Sequence, residues 1–138
     1  MPMIDLVFKN WTSQLVPSES FFVNVLKMGV KTAKVKNKVE VSVNLVGEEK
    51  IKSFNKKYRN KNKPTDVLSF PLGDGSGDVF ICLSIAKKEA KSENISIEAK
   101  LAQLTVHGFL HLLGYDHEKS QKEARKMFKL ESKILKKF

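Results

Sequence analysis

Hydrophobic and polar residues alternate most regularly in the segment 39–45. Its apolar members, Val39, Val41, Val43 and Leu45, are separated by Glu40, Ser42 and Asn44. A period of two residues predicts a β-strand with one buried and one polar face. Shorter apolar runs predict strands at 3–8, 67–70 and 78–83, and the Gly-Asp-Gly-Ser-Gly segment 73–77 predicts a turn that joins the last two in a hairpin.

Apolar residues three and four positions apart predict helices between and after these strands. Ser18 is predicted to cap the first helix, which fades within the lysine-rich stretch 29–38, and a short second helix begins at Glu48. Ser84 is predicted to cap the third helix, because serine at this position satisfies free backbone N–H groups, and Ser96 and Glu98 are predicted to start the fourth helix.

The last helix is predicted over residues 118–138, with its lysines facing water. Its packing side is predicted to consist of Ala124, Phe128, Ile134 and Leu135. Three or four strands interspersed with four or five helices indicate an α+β or α/β layer structure. The length of 138 residues suits one domain, here residues 1–138.

Composition narrows the class of protein. Hydrophobic residues make up 41% of the chain, enough for a folded core. No apolar run reaches the length of a membrane span, and the first residues lack the features of a signal peptide. The one cysteine, Cys82, cannot form an internal disulfide, which favours a cytoplasmic location.

The chain is strongly basic, with a formal net charge of +10 at pH 7. Five of its lysine and arginine residues lie in the eight-residue run Lys-Lys-Tyr-Arg-Asn-Lys-Asn-Lys at 56–63, which contains no acidic residue. Such an excess favours a polyanionic partner, most commonly nucleic acid. Charge alone is equally compatible with a solvated surface, so a motif is needed to decide between the two.

All three histidines of the chain lie in the segment 107–117, which reads His-Gly-Phe-Leu-His-Leu-Leu-Gly-Tyr-Asp-His. His107 and His111 are four residues apart, a spacing that places both on one face of a helix. Gly114 follows where a helix ends in a left-handed residue, and the turn would bring His117 back toward the first two. Three imidazoles leave a fourth tetrahedral position open, as in catalytic zinc sites.

The same spacing of histidines and glycine occurs in the metzincin proteases. Those enzymes carry a glutamate directly after the first histidine, where it acts as the general base on the metal-bound water. The corresponding residue here is Gly108, which cannot accept a proton. The metal geometry is therefore predicted to be similar while the chemistry differs.

Three segments resemble one known family, the YbeY endoribonucleases, also called rRNA maturation factors. The histidine segment 107–117 is similar to the family signature almost letter for letter. Tyr58-Arg59, followed by the Lys-Pro-Thr-Asp-Val-Leu-Ser-Phe-Pro run at 63–71, forms the second match, and the Gly-Asp-Val-Phe-Ile run at 77–81 followed by a serine forms the third. Asn62 departs from the pattern, since the family has an aspartate there, and the N-terminal third matches no motif.

The resemblance implies an α+β sandwich with a mixed, roughly four-stranded sheet packed by helices, and a metal site on the long helix of the C-terminal half. It implies a zinc-dependent hydrolase that cuts single-stranded RNA in ribosomal RNA maturation, at the small-subunit 3′ end, and in ribosome quality control. One Zn²⁺ per chain would be held by His107, His111 and His117. The implied partners are RNA and the ribosome or small-subunit assembly factors, with no DNA and no membrane.

Arg59 is implied by the resemblance as a substrate-binding or catalytic residue. Its planar guanidinium can contact two phosphate oxygens at once, which a lysine cannot do. Zinc can lower the pKa of a bound water toward about 7 or polarise a phosphoryl oxygen. The attacking group, either water or the ribose 2′-OH, stays open, as does the general base. Asp116 is the candidate for orienting an imidazole N–H group or shaping the turn.

Two other functions compete with RNA cleavage. A zinc peptidase is favoured by the metzincin spacing and opposed by Gly108 and the basic charge. A ribosome-assembly factor without enzymatic activity would use the metal only to hold its fold. The open coordination position predicted for three histidines opposes this second alternative.

Overall fold

The computed structural model describes residues 4–137 of the chain. In order along these residues, the elements are β1 (Ile4–Asn10), α1 (Glu19–Thr32), β2 (Val39–Val46), α2 (Glu48–Arg59), β3 (Val67–Gly73), β4 (Ser76–Cys82), α3 (Leu83–Glu93), α4 (Ile97–Leu112) and α5 (Gln121–Leu135). Within this part of the chain, no helix combines the length and apolar composition that crossing a bilayer requires.

The four strands form one mixed sheet in the order β1-β2-β4-β3. Strands β1 and β2 are parallel, as are β2 and β4, whereas β3 and β4 form the antiparallel hairpin that the glycine-rich turn predicts. The strand with the regular alternation, β2, lies at the centre, and its residues Val39, Val41, Val43 and Leu45 are buried. The predicted α+β sandwich with a mixed four-stranded sheet is confirmed.

Helices cover the sheet on both faces. One face carries the main core, where residues of α1, α3 and α4 pack on β2 and β4. On the other face, Ile51 of α2 packs against Val46, Leu68 and Cys82. Helix α5 forms a further layer, with Met127 and Ile134 packed against Val106 and Leu110 of α4. This places α4 between the sheet and α5.

Because α4 is enclosed, almost every residue after its first turn is buried. From Lys100 to the end of the helix, the residues that keep partial exposure are Gln103, His107 and His111. They are spaced by four and therefore form one stripe along the helix. The fold thus exposes α4 along a single line, and two histidines lie on it.

The buried Lys100 joins α3 to α4 near the start of the histidine-bearing helix. Its side chain is 6% exposed, and its Nζ lies 2.7 Å from Glu93 Oε2 and 3.4 Å from Glu89 Oε1. Burial lowers the pKa of this amine, but the hydrogen bonds and charges of Glu93 and Glu89 outweigh that effect, so the pKa is raised above 10.5. The amine is therefore charged and paired at neutral pH.

The predicted boundaries agree with the structure in part. Helix α1 ends at Thr32, within the stretch 29–38 where the sequence predicts that it fades, and its Gly29 lies where α1 approaches α4: an added Cβ would lie 3.1 Å from Phe109 Cδ2. Strand β1 begins no later than Ile4, and the predicted first residue, Met3, lies outside the described residues. Ser84 does not cap α3, because it lies inside the helix and donates its hydroxyl to Glu48 Oε2.

The predicted packing side of α5 is correct at Ile134, which is buried, and at Leu135, which packs on the same cluster, but it is wrong at Phe128. Phe128 is 70% exposed, whereas the adjacent Met127 is buried. The buried residues of this helix are Met127, Glu131 and Ile134. The helix also begins later than predicted, at Gln121, where Ser120 accepts a hydrogen bond from the backbone N–H of Glu123.

Candidate metal centre and active-site cleft

The C-terminal end of α4 turns the chain back toward the histidines. Gly114 adopts φ +101°, a conformation that favours glycine. Its N–H donates to the carbonyl of His111 at 3.0 Å, and the N–H of Tyr115 donates to the carbonyl of Leu110, also at 3.0 Å. This pair of bonds is a Schellman motif, which ends a helix with its last carbonyls satisfied.

A second turn follows and carries the third histidine. Asp116 Oδ1 accepts a hydrogen bond from the backbone N–H of Glu118 at 2.9 Å, and this bond closes a turn that has His117 as its middle residue. An aspartate that binds a backbone N–H two residues on fixes a tight turn. The structure thus shows Asp116 shaping the loop; a role in orienting an imidazole stays a prediction.

These two turns bring the three histidine rings together. The ring centroids of His107 and His111 are 4.9 Å apart, those of His107 and His117 are 5.2 Å apart, and those of His111 and His117 are 5.1 Å apart. One nitrogen from each ring lies within 4.8 Å of the other two. This separation and this set of donors suit one metal ion, and all three ligands come from α4 and the turn after it.

A carboxylate on α5 holds the first ring. Nδ1 of His107 lies 3.2 Å from Oε1 of Glu131, which is buried. A carboxylate hydrogen-bonded to one imidazole nitrogen fixes the ring and leaves the other nitrogen for a metal. Glu131 was not among the residues predicted from the sequence; the available signal was its position between Met127 and Ile134, as an acidic residue on the apolar side of α5.

The electrostatics of the second ring also suit a ligand. Burial lowers the pKa of His111, and the neighbouring His107 and His117 lower it further. A lower pKa favours the neutral imidazole, which is the form that binds metals. The three histidines therefore fit a metal ion in geometry, and His111 also fits one in protonation.

The histidine cluster opens into a cleft of about 880 Å³. Arg59, Lys61 and Lys63 line this cleft together with the three histidines, so the basic run of the sequence borders the candidate metal centre. Arg59 Nη2 lies 3.6 Å from Oε1 of Glu118, and both side chains are substantially exposed. Asn62, the residue that departs from the family pattern, does not line the cleft.

The end of α2 sets the position of Arg59. The helix stops at Arg59 because Asn60 adopts the left-handed conformation, with φ 56°. The buried Asn55 then fixes the following loop, since its Nδ2 donates to the carbonyl of Lys63 at 2.8 Å. The arginine and the lysines after it are therefore held at the cleft by a defined backbone.

Gly108 faces the sheet, one residue after the first histidine. A Cβ at this position would lie 2.7 Å from Val79 Cγ1 and 3.1 Å from Ser69 Oγ. Ser69 also donates a hydrogen bond to the carbonyl of Gly108 at 2.9 Å. The glycine thus allows α4 to approach β3 and β4 closely, and a glutamate here would be directed into the sheet. This observation opposes a peptidase mechanism.

Gly108→Ala is expected to lower the free energy of unfolding by about 1–3 kcal/mol, because overpacking outweighs the gain of up to about 1 kcal/mol in helix propensity. Urea denaturation measures the change. Gly47→Ala is the control, since a Cβ at Gly47 meets no heavy atom within 4 Å. A Gly108→Ala protein as stable as the parent would contradict the close approach of α4 to the sheet.

The α+β fold, the three-histidine cluster that could hold a metal ion, and the basic cleft together are typical of a hydrolase. Comparison with known proteins makes this class more specific. The family model described as endoribonuclease YbeY matches residues 8–138. The chain therefore belongs to the YbeY endoribonuclease family, and the resemblance of its motifs is confirmed. Membership in this family makes the chain a hydrolase.

Individual relatives support the same assignment. The chain is 45% identical over 104 residues to endoribonuclease YbeY of Persephonella marina, covering 70% of this chain and 68% of that protein. It is 43% identical over 122 residues to the Oenococcus oeni protein of the same name, covering 80% of each. The solution structure of TM1509 from Thermotoga maritima is similar with a TM-score of 0.66 and 32% identity, over 96% of this chain and 87% of that one.

Proposed function

We propose that this protein is a zinc-dependent endoribonuclease that cleaves single-stranded RNA in ribosomal RNA maturation, at the small-subunit 3′ end, and in ribosome quality control. The observation that carries the proposal is the opening of a three-histidine cluster into a cleft lined by Arg59, Lys61 and Lys63. Family membership supports the RNA substrate. We further propose that residues 1–138 act as a single metal-dependent hydrolase domain.

The residues that would hold one Zn²⁺ per chain are His107, His111 and His117. Three imidazole nitrogens are a set of donors that catalytic zinc sites use, and the side of the cluster that faces the cleft would be reached by substrate. When bound, zinc supplies Lewis acidity, which stabilises negative charge and lowers the pKa of water. Glu131 holds the His107 ring in a fixed orientation.

The cations of the cleft would bind the phosphates of the RNA. Arg59 has the planar donor fork that binds two phosphate oxygens, and it lines the same cleft as the histidines. A guanidinium in this place would bind the scissile phosphodiester and offset the charge that develops on it. Lys61 and Lys63 would bind the flanking phosphates as point charges, which gives affinity without sequence preference.

The cellular setting that we propose is the cytoplasm, with the ribosome or small-subunit assembly factors as partners. Cys82 is buried and free, which agrees with a reducing compartment. The net charge of +10 favours association with ribosomal RNA.

One experiment separates this function from its competitors. The protein is incubated with labelled single-stranded RNA, single-stranded DNA of the same sequence, and an unfolded protein, each with and without a chelator. We expect cleavage of the RNA alone, lost on chelation and restored by added Zn²⁺. Proteolysis, or intact RNA in the presence of zinc, would refute the proposal; RNA binding without cleavage would favour the assembly factor.

A further inference from the structure

We propose that Tyr58 is a stacking platform for an RNA base beside the candidate metal centre. The proposal rests on the proposed function, and it adds a residue that determines how the substrate is positioned. Tyr58 is 56% exposed and lines the same cleft as Arg59 and the three histidines. An exposed aromatic ring next to phosphate-binding cations is the combination that binds single-stranded nucleic acid.

The ring of Tyr58 is supported from behind. Its centroid lies 5.2 Å from that of Phe70 at an interplanar angle of 69°, and 6.1 Å from that of Phe54. Phe54 in turn packs edge-on against Phe80, with centroids 4.9 Å apart. The tyrosine is therefore the outermost ring of an aromatic cluster that extends to the sheet, and a base that stacks on it meets a ring that is already fixed.

The surroundings of the ring match a nucleotide. Arg59 is the next residue along the chain and lines the same cleft, and Lys57 Nζ lies over the Tyr58 ring, 5.2 Å from its centroid. A base that stacks on this face would displace the flexible lysine side chain, and both cations would then lie close to the phosphates of that nucleotide. A base inside a duplex has both faces covered by its neighbours, so a platform of this kind favours unpaired strands.

Other exposed aromatic residues of the described chain lack this combination. Phe128 is 70% exposed on α5, and Trp11 is 64% exposed after β1, but neither lines the cleft. Trp11 also donates its indole N–H to Asn44 Oδ1, a contact within the protein. Phe128 is therefore the matched control for an exposed ring that does not meet substrate.

The test uses zinc-loaded protein and a twelve-nucleotide single-stranded RNA. Tyr58→Leu is expected to raise KM about tenfold, because one stacked base contributes about 1–3 kcal/mol. Phe128→Leu is expected to leave KM unchanged, since Phe128 lies outside the cleft, whereas Tyr58→Phe keeps the ring and is expected to raise KM far less than Tyr58→Leu does. Tyr58→Trp, which enlarges the platform, is expected to keep or lower KM.

Abasic substrates identify the stacked base. Each position of the RNA is replaced in turn by an abasic nucleotide, and the parent protein is compared with Tyr58→Leu. At one position the loss of the base should raise KM for the parent and abolish the difference between the two proteins. An equal penalty of Tyr58→Leu on intact and all abasic RNAs, or an unchanged KM on intact RNA, would overturn the proposal.

Different results would refute the proposed function and the stacking role of Tyr58. If the parent protein does not cleave RNA, the proposed function fails, and the stacking role fails with it. If the parent cleaves RNA and Tyr58→Leu does so with the same KM, only the stacking role fails. Thermal unfolding shows whether the Tyr58→Leu protein is misfolded. If it is, Tyr58→Trp and the abasic series on the parent protein test the stacking role instead. A Tyr58→Trp protein with a KM raised tenfold would contradict that role.

Discussion

Replacing His111 with alanine is expected to abolish zinc binding and RNA cleavage together. The substitution removes one of three ligands, so the ion is lost along with its stabilisation of charge, which amounts to several kcal/mol in the transition state. At about 1.4 kcal/mol per factor of ten, the rate should fall by about three orders of magnitude or more. Metal content by mass spectrometry and single-turnover cleavage of labelled RNA measure the two effects on the same sample.

Two further variants serve as comparisons for His111→Ala. Glu131→Gln keeps all three ligands but weakens the support of His107, and is expected to reduce zinc affinity by about 10–100-fold while activity returns at high zinc concentration. Lys129→Ala, an exposed position on the same helix α5, should change neither quantity. Parental cleavage rates from a His111→Ala protein verified to be free of metal would show that the histidine cluster is not the active centre.

Arg59→Ala is expected to reduce kcat/KM by about 100-fold while zinc content stays at the parental level. The arginine donates no metal ligand, so its loss should affect only the substrate and the charge that develops during cleavage. Removal of one positioned donor from a developing anion costs about 10²–10³ in rate. Steady-state kinetics on the RNA oligonucleotide, with parallel metal analysis, measure the change.

A second substitution separates the effect of the positive charge of Arg59 from the effect of its side-chain geometry. Arg59→Lys keeps the positive charge but loses the planar fork, and should recover only part of the lost activity. Lys56→Ala is the matched control, because Lys56 lies on α2 close to Arg59 but does not line the cleft. Unchanged RNA kinetics in Arg59→Ala would remove the arginine from the site.

The local parts of the centre could be predicted from sequence because they depend on spacing. Two histidines four residues apart, a glycine and a third histidine determine a helix end and a turn, and the structure brings these rings together. Glu131 could not be predicted with them. Its contact with His107 spans 24 positions and depends on how α5 packs, and the predicted packing side placed Phe128, rather than Met127, on the core.

The local elements of the fold could also be predicted from the sequence, whereas their arrangement could not. The period of two in β2 and the glycine-rich turn of the hairpin are local patterns, and both are present. The strand order β1-β2-β4-β3 is set by contacts between distant segments, which no local pattern contains. The close packing of Gly29 in α1 against Phe109 in α4 is likewise a contact between distant segments, and the sequence pattern does not show it.

The enclosure of α4 between the sheet and α5 has a consequence for how a metal ion would be loaded. Two of the three candidate ligands lie on a helix that packs against the sheet and α5, and the third follows hydrogen-bonded turns. These contacts bring the three rings together through helix packing and turn formation, unlike a zinc finger, which is unfolded without its metal. We therefore expect the folded molecule to take up and exchange the ion, late in its life as well as at its synthesis.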